Sequence, residues 1–379
     1  MMQALLDDPA FSIMATGFLV GAAAALLGPF LILRRAAMLS DAISHSIVFG
    51  IVAVWMLTGA ISGPVQILGA ALAGVLTVVL VELVAATGRV KNDAAIGLVF
   101  PALFAAGVLL LNLYASDVHI DTHTVLLGEI GFVWLDTVEV AGLTAPRALV
   151  WMAAVAAVNA VFVVALWKEL KVATFDPVLA HAMGLAPRAL FYVLLFLTSG
   201  TAVAAFDAVG AILFIAFVVM PPAAAYLLTD RLERMVPIGI TIAGVASVAG
   251  YWLAMRWDVS ISGMMAVMTG ICLGLAVLAG PRHGVVAGLM RRARAARQNA
   301  TRALVVHLAT HEDSAERREE NVAAALRLHL DWSEARARAV LGEGVAAGLV
   351  RREGEALSLT DEGRRAAEAL LEPWRRGGG

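Results

Sequence analysis

Cysteine is almost absent from this 379-residue chain: Cys272 stands alone, which excludes a disulfide framework and a Cys-based zinc site. Lysine is nearly as scarce. Lys91, Lys168 and Lys171 are the only ones, and none sits in the Gly-x-x-x-x-Gly-Lys spacing whose backbone amides cradle phosphates. A P-loop ATPase is thereby excluded. Charged residues make up 15% of the chain against 60% hydrophobic ones, where a soluble protein carries about 25% charged. The net charge of −2 offers no electrostatic footing for nucleic acid. The first residues carry Asp7 and Asp8 in place of the basic flank of a signal peptide, so no cleaved leader is expected.

The charge that is present is unevenly spread. From Thr301 onward there are 12 Arg and 14 Asp+Glu, which leaves 16 Lys+Arg and 16 Asp+Glu for the first 300 residues. The pattern predicts an apolar membrane body over 1–283 and a soluble tail over 301–379. Between them, residues 284–300, with Arg291, Arg292, Arg294 and Arg297, read as a basic juxtamembrane linker attractive to anionic lipid.

A membrane helix needs about 20 mostly apolar residues. Nine segments qualify: 11–33, 42–60, 65–87, 94–114, 148–167, 188–204, 208–228, 236–255 and 263–280. The pair 188–204 and 208–228 is joined by so short a turn near Asp207 that it also reads as one span plus a re-entrant piece, giving eight. Lys and Arg in short loops mark the cytoplasmic side. Arg34, Arg35, Arg89, Lys91, Lys168, Lys171, Arg231, Arg234 and Arg282 share one side, against Arg147 and Arg256 on the other. The C-terminus is therefore expected in the cytoplasm. Gly17, Gly21, Gly28, Gly69, Gly74, Gly239 and Gly244 recur at spacings that let membrane helices approach closely.

Asp41 and His45 are the most informative residues. Four apart, they share a helix face, and ionisable groups inside an apolar span mark a pathway or a site. Carboxylate oxygen with imidazole nitrogen suits a divalent first-row metal; a buried structural hydrogen bond has the same spacing. Asp117, His119, Asp121 and His123 form a second cluster in the outer loop, where alternate residues of an extended chain share a face. It reads as a metal contact, a solvated loop or a docking surface. Asp207 and Glu129 read as groups at the pathway mouth or as turn residues, and Glu82 as a pore group or a snorkelling one.

The segment Leu33-Arg34-Arg35-Ala36-Ala37-Met38-Leu39-Ser40-Asp41-Ala42-Ile43-Ser44-His45 resembles the signature of the bacterial manganese/zinc/iron ABC importer permeases. So do, in order, Asn92–Gly97, Leu126–Ile130, Phe175–Gly184, Ala208–Leu213 and Pro221–Thr229. The resemblance covers about residues 10–280. It implies an all-α polytopic permease of eight to nine spans in the bacterial inner membrane, with metal held by Asp41 and His45. It further implies that Phe175, Asp176, Pro177 and Gly184 belong to the segment that docks on an ATPase, with His181 beside them not a ligand. The implied partners are an ABC ATPase subunit, an extracytoplasmic solute-binding protein and a second permease subunit, identical or paralogous. No cofactor is expected; the divalent metal passes through as substrate. Oxygen and nitrogen donors without cysteine favour manganese, with zinc or iron next.

Residues 320–370 resemble a winged-helix module, a small α+β tail like that which some manganese-type permeases share with metal-dependent repressors. A helix at Val322–Leu330, a second from Ser333 to Gly348, a wing at Leu349–Leu359 and a last helix capped by Thr360 are expected. Affinity for DNA comes mainly from phosphate neutralisation, and the acidic balance of the tail points away from it. His307 and His311, four apart, read as a cytoplasmic metal sensor or as a solvated helix face. Two rival functions remain on the residues alone: a proton-coupled secondary metal transporter, and a membrane-anchored metal sensor.

Overall fold

A computed structural model describes residues 2–59, 64–114, 128, 130–140, 142–281, 284–314 and 317–376. It divides into two compact units, Met1–Gly284 and Val285–Gly379.

The first unit is a helical membrane body. A short α1 (Met2–Leu6) precedes α2 (Pro9–Leu33), which Asp8 caps by accepting a hydrogen bond from the Ala10 amide. Then follow α3 (Ala37–Thr58), α4 (Pro64–Ala86) and α5 (Asn92–Tyr114). A 3₁₀ turn at Ile130–Phe132 leads to the antiparallel strands β1 (Thr137–Val140) and β2 (Leu143–Pro146). Next come α6 (Arg147–Ala165), the short α7 (Trp167–Phe175) and α8 (Pro177–Ala182), the long α9 (Pro187–Leu228), α10 (Leu232–Trp257) and α11 (Ile261–Ala279).

Among the described residues eight helical segments are long and apolar enough to cross a membrane, the two halves of α9 counted separately. In α4 the apolar described part, Ala71–Ala86, is shorter. The protein is thus an all-α polytopic membrane body of eight to nine spans. The β1–β2 pair was not expected from the sequence. Its strands have four residues each, too few for an alternation to stand out.

At 1.5 Å per residue a straight 42-residue α9 would measure about 63 Å, twice a bilayer core of about 30 Å. It does not run straight. Gly210 interrupts it with φ 75° and ψ 169°, a conformation essentially open to glycine alone. Near the start of α9, Phe191 stacks under Arg34 at 4.4 Å and Tyr192 donates to Glu82. Just past its end, Glu233 pairs with Lys171. Both ends of α9 thus meet the end of the bundle that carries Arg34 and Lys171. Glu82, open on sequence grounds, ties α4 to α9 there.

Helix α2 is the central span, 72% of its apolar window buried, whereas α6 is 17% buried and turns most of its surface outward. Hydrophobic burial cannot drive helices together in lipid, so close packing and interhelical hydrogen bonds must. Glycines supply the first. A Cβ at Gly28 would lie 2.5 Å from the Val218 carbonyl oxygen, and one at Gly21 2.7 Å from Ala243. Asn159 supplies the second. Buried on α6, it donates to the Ala23 carbonyl (3.3 Å) and to Thr201 Oγ1 (2.9 Å), joining α6 to α2 and α9.

The second unit has its own core of Leu304, Leu308, Leu326, Val340, Leu357 and their neighbours. Its elements are α12 (Val285–Thr310), α13 (Arg317–Glu320), α14 (Ala325–His329), α15 (Glu334–Ala346), β3 (Val350–Glu353), β4 (Ala356–Leu359) and α16 (Asp361–Arg376). β3 and β4 are antiparallel, turning at Gly354 (φ 65°). The Thr360 hydroxyl accepts from the Gly363 amide at 3.1 Å and so caps α16. Two expectations are corrected. Residues 284–300 are not a separate linker from Val285 on, because α12 runs unbroken to Thr310. The helix expected at Val322–Leu330 is confined to Ala325–His329, because Val322 bridges Ala356 beside β4.

Candidate functional site

Arg35, in the left-handed region at φ 57°, ends α2 and redirects the chain into α3. Asp41 and His45 then fall one turn apart on α3. The side chain of Asp41 lies outside the described residues. The half-buried His45 ring stacks on Phe100 at 5.6 Å and meets the edge of Phe104 at 6.2 Å, both on α5. A stacked ring and a perpendicular one thus set the plane of the imidazole.

The other side of α3 is fastened to α4. Ser46 Oγ and Thr77 Oγ1 are 2.7 Å apart and buried, and each also reaches a helical carbonyl, Ala42 at 2.5 Å and Ala73 at 2.8 Å. A Cβ at Gly69 of α4 would lie 1.9 Å from Val54 Cγ2 of α3, and one at Gly107 of α5 2.8 Å from the Phe49 amide nitrogen. The helix bearing Asp41 and His45 is therefore packed closely between α4 and α5, with near backbone contact to α5.

A second feature lies at the break in α9. Gly128, itself at φ 65°, sits so close that a Cβ on it would be 2.2 Å from the Gly210 nitrogen. A break in a membrane helix frees backbone groups that lipid cannot satisfy, and Gly128 packs directly against them. Phe206 and Phe214 flank the break edge to face at 6.1 Å. Of the residues expected at the pathway mouth, Asp207 lies on α9 next to this break, with its side chain outside the described residues. Glu129, His119, Asp121 and His123 lie outside the described residues, as does Asp117.

The segment expected to dock on an ATPase forms a compact helix–turn–helix. Phe175 ends α7 and Asp176 caps α8, its Oδ1 accepting from the Leu179 amide at 2.9 Å. Pro177 opens α8, where a missing N–H costs nothing. Gly184 leaves it at φ 81°. Leu170, Ala173 and Ala180 turn inward, while Phe175, Val178, Leu179 and Met183 are exposed. His181, also exposed, lies on the same short helix.

The tail histidines are arranged differently from the sequence expectation. His307 is 5.0 Å from His311, ring to ring, but it also faces His329 at 6.1 Å and lies 3.4 Å from the Glu320 carbonyl oxygen. Burial pushes the His307 pKa down. Sequence reasoning passed over His329 and Glu320 because no short motif links them to His307. Asn159 was missed as well; a lone Asn within an apolar span was the available signal.

Residues 8–280 match the ABC 3 transport family. The zinc transport system membrane protein TroD of Treponema pallidum (strain Nichols) is 44% identical over 355 residues, 93% of this chain and 96% of that protein. The manganese transport system membrane protein MntD of Bacillus subtilis (strain 168) is 46% identical over 280 residues, 74% of this chain and 95% of that protein. The fold resembles that of PsaBC from Streptococcus pneumoniae, solved in complex with Fab, with a TM-score of 0.62 over 74% of this chain and 96% of that one at 24% identity.

Proposed function

This chain belongs to the ABC 3 transport family, and we infer that it is the membrane-spanning permease subunit of an ATP-driven importer for a divalent transition-metal ion. The observation that carries the reading is His45, one turn from Asp41 on a membrane-spanning helix and stacked on Phe100. An ionisable pair is costly at that depth and persists where a cation passes.

In this reading Asp41 and His45 bind the ion transiently. Oxygen and nitrogen donors without cysteine suit manganese first, with zinc the alternative that the named relatives keep open. Asp207 beside the α9 break, with Glu129, His119, Asp121 and His123, lines the outer approach. Broken membrane helices are a recurring way to present polar backbone to an ion, and Gly210 provides such a break.

The chain has no P-loop, so a separate ATPase subunit must supply the energy. The exposed apolar face of Phe175, Val178, Leu179 and Met183 is the proposed dock. A solute-binding protein delivers the ion from outside, and a second permease subunit completes the pathway. The basic loops support a cytoplasmic dock and tail. The tail, winged-helix-like in its order of elements, regulates the importer or touches the ATPase; its acidic balance argues against DNA.

The test is radiolabelled manganese and zinc uptake into proteoliposomes holding the chain with and without its ATPase. ATP-dependent uptake that needs the ATPase supports the reading. Uptake by the chain alone, driven by a proton gradient, would replace it with secondary transport.

A further inference from the structure

The tail unit brings three metal-ligating side chains together from three separate segments. His307 comes from α12, Glu320 from the end of α13 and His329 from the end of α14. One ligand atom of each lies within 4.8 Å of the others. Glu320 Oε2 is enclosed by protein, and His329 Nδ1 lies in direct contact with it. The Glu320 side chain is 16% exposed. A carboxylate taken largely out of water is costly unless a positive charge compensates it.

We propose that His307, Glu320 and His329 form a second divalent-metal site, separate from the membrane pathway. Two imidazole nitrogens and one carboxylate oxygen suit zinc or another first-row divalent ion, and three protein ligands leave a position for water. His311 lies beside the cluster but outside it.

The surroundings give the site a mechanical consequence. Asn321 follows Glu320 directly. Its side-chain amide donates to the Leu308 carbonyl of α12 at 3.2 Å, and its own carbonyl accepts from the Leu357 amide of β4 at 2.8 Å. Val322 then bridges Ala356. A cation held by His307 and Glu320 therefore fastens α12 to the segment that pairs with β4. Metal binding stiffens the tail across its own core. This does not depend on what the membrane body transports.

The experiment uses the full chain in detergent, with the pathway pair removed by Asp41→Ala and His45→Ala so that membrane binding does not mask the tail. Cobalt(II) serves as a spectroscopic probe and zinc as the competing ion. In this background one cobalt ion binds with a ligand-field absorption band, which zinc displaces. Adding Glu320→Gln or His329→Gln, each close in shape to the original, weakens cobalt binding at least about 10-fold, the lower figure for loss of even an outer-shell partner. His311→Gln leaves it within a factor of about 3, as expected for a residue outside the coordination set. Circular dichroism without metal confirms that each variant folds. Two results overturn the proposal: absence of the cobalt band in the pathway-deficient chain, or a band and affinity unchanged by both Glu320→Gln and His329→Gln.

Discussion

Gly128 and Gly210, far apart in sequence and both at positive φ, meet backbone to backbone where α9 breaks. A methyl group on Gly128 would stand 2.2 Å from the Gly210 nitrogen, closer than any backbone tolerates. Gly128→Ala and Gly210→Ala are therefore each expected to cost at least about 1–2 kcal/mol for the left-handed backbone alone, plus displacement of the contact. Thermal unfolding of the purified chain measures the first part. Metal uptake measures the second, and should fall further than the loss of folded protein explains.

Asp41→Ala and His45→Ala are expected to lower metal uptake at least about 10-fold, since losing even an outer-shell metal partner has that effect. Assembly should survive, because α3 is held by Ser46, Thr77 and the glycine contacts with α4 and α5. Uptake and copurification with the ATPase, measured on the same preparation, check both halves. Phe100→Ala removes the ring stacked on His45 and should give an intermediate loss.

Much of this arrangement was legible in the sequence. The spans expected at 11–33 and 263–280 appear as Pro9–Leu33 and Ile261–Ala279, because every lipid-spanning segment must be apolar and satisfy its own backbone. The cap at Thr360 was legible because capping chemistry is local. What stayed hidden depends on tertiary approach. Nothing near Gly128 in the sequence announces Gly210. His307, Glu320 and His329 converge because Asn321 fastens α13 to α12. The β1–β2 pair is shorter than any periodicity can reveal.

Asn159 offers a test of polar glue apart from function. Its two bonds join α6 to α2 and α9, and such bonds in lipid are each worth about 0.6 kcal/mol on average. Asn159→Ala should lower stability by about 1 kcal/mol, while the metal concentration for half-maximal uptake stays unchanged. Denaturation in detergent measures the first and a dose–response curve the second.

The α7–α8 corner separates shape from surface. Asp176→Ala removes a cap worth about 1 kcal/mol and Gly184→Ala strains a left-handed turn, so both deform the corner. Val178→Ser leaves its fold intact but removes an exposed apolar contact, 80% accessible in the chain by itself. If this face docks on the ATPase, all three variants lower substrate-stimulated ATP hydrolysis, and Val178→Ser does so without lowering the melting temperature. Wild-type copurification and turnover in all three would remove the corner from the interface.

Truncation tests whether transport needs the tail. The two units divide at Gly284, and α12 begins at Val285 and supplies Ala300, Leu304, Val305 and Leu308 to the tail core. A cut at Thr301 would therefore split α12 and leave Ala300 without its core partners, whereas a cut after Gly284 removes the unit whole. Deleting residues 285–379 should leave basal uptake within a factor of about 2, because every residue proposed for the pathway and for the α7–α8 dock precedes 284 and changes away from such features are near neutral. Deleting 301–379 should yield less folded protein. If the tail carries a metal-responsive regulator, uptake by the shorter chain also ceases to respond to cytoplasmic metal load, whereas the full chain slows as load rises. Parallel load curves for the two would leave the tail a role in assembly, and loss of basal uptake from the clean truncation would place it in the transport cycle itself.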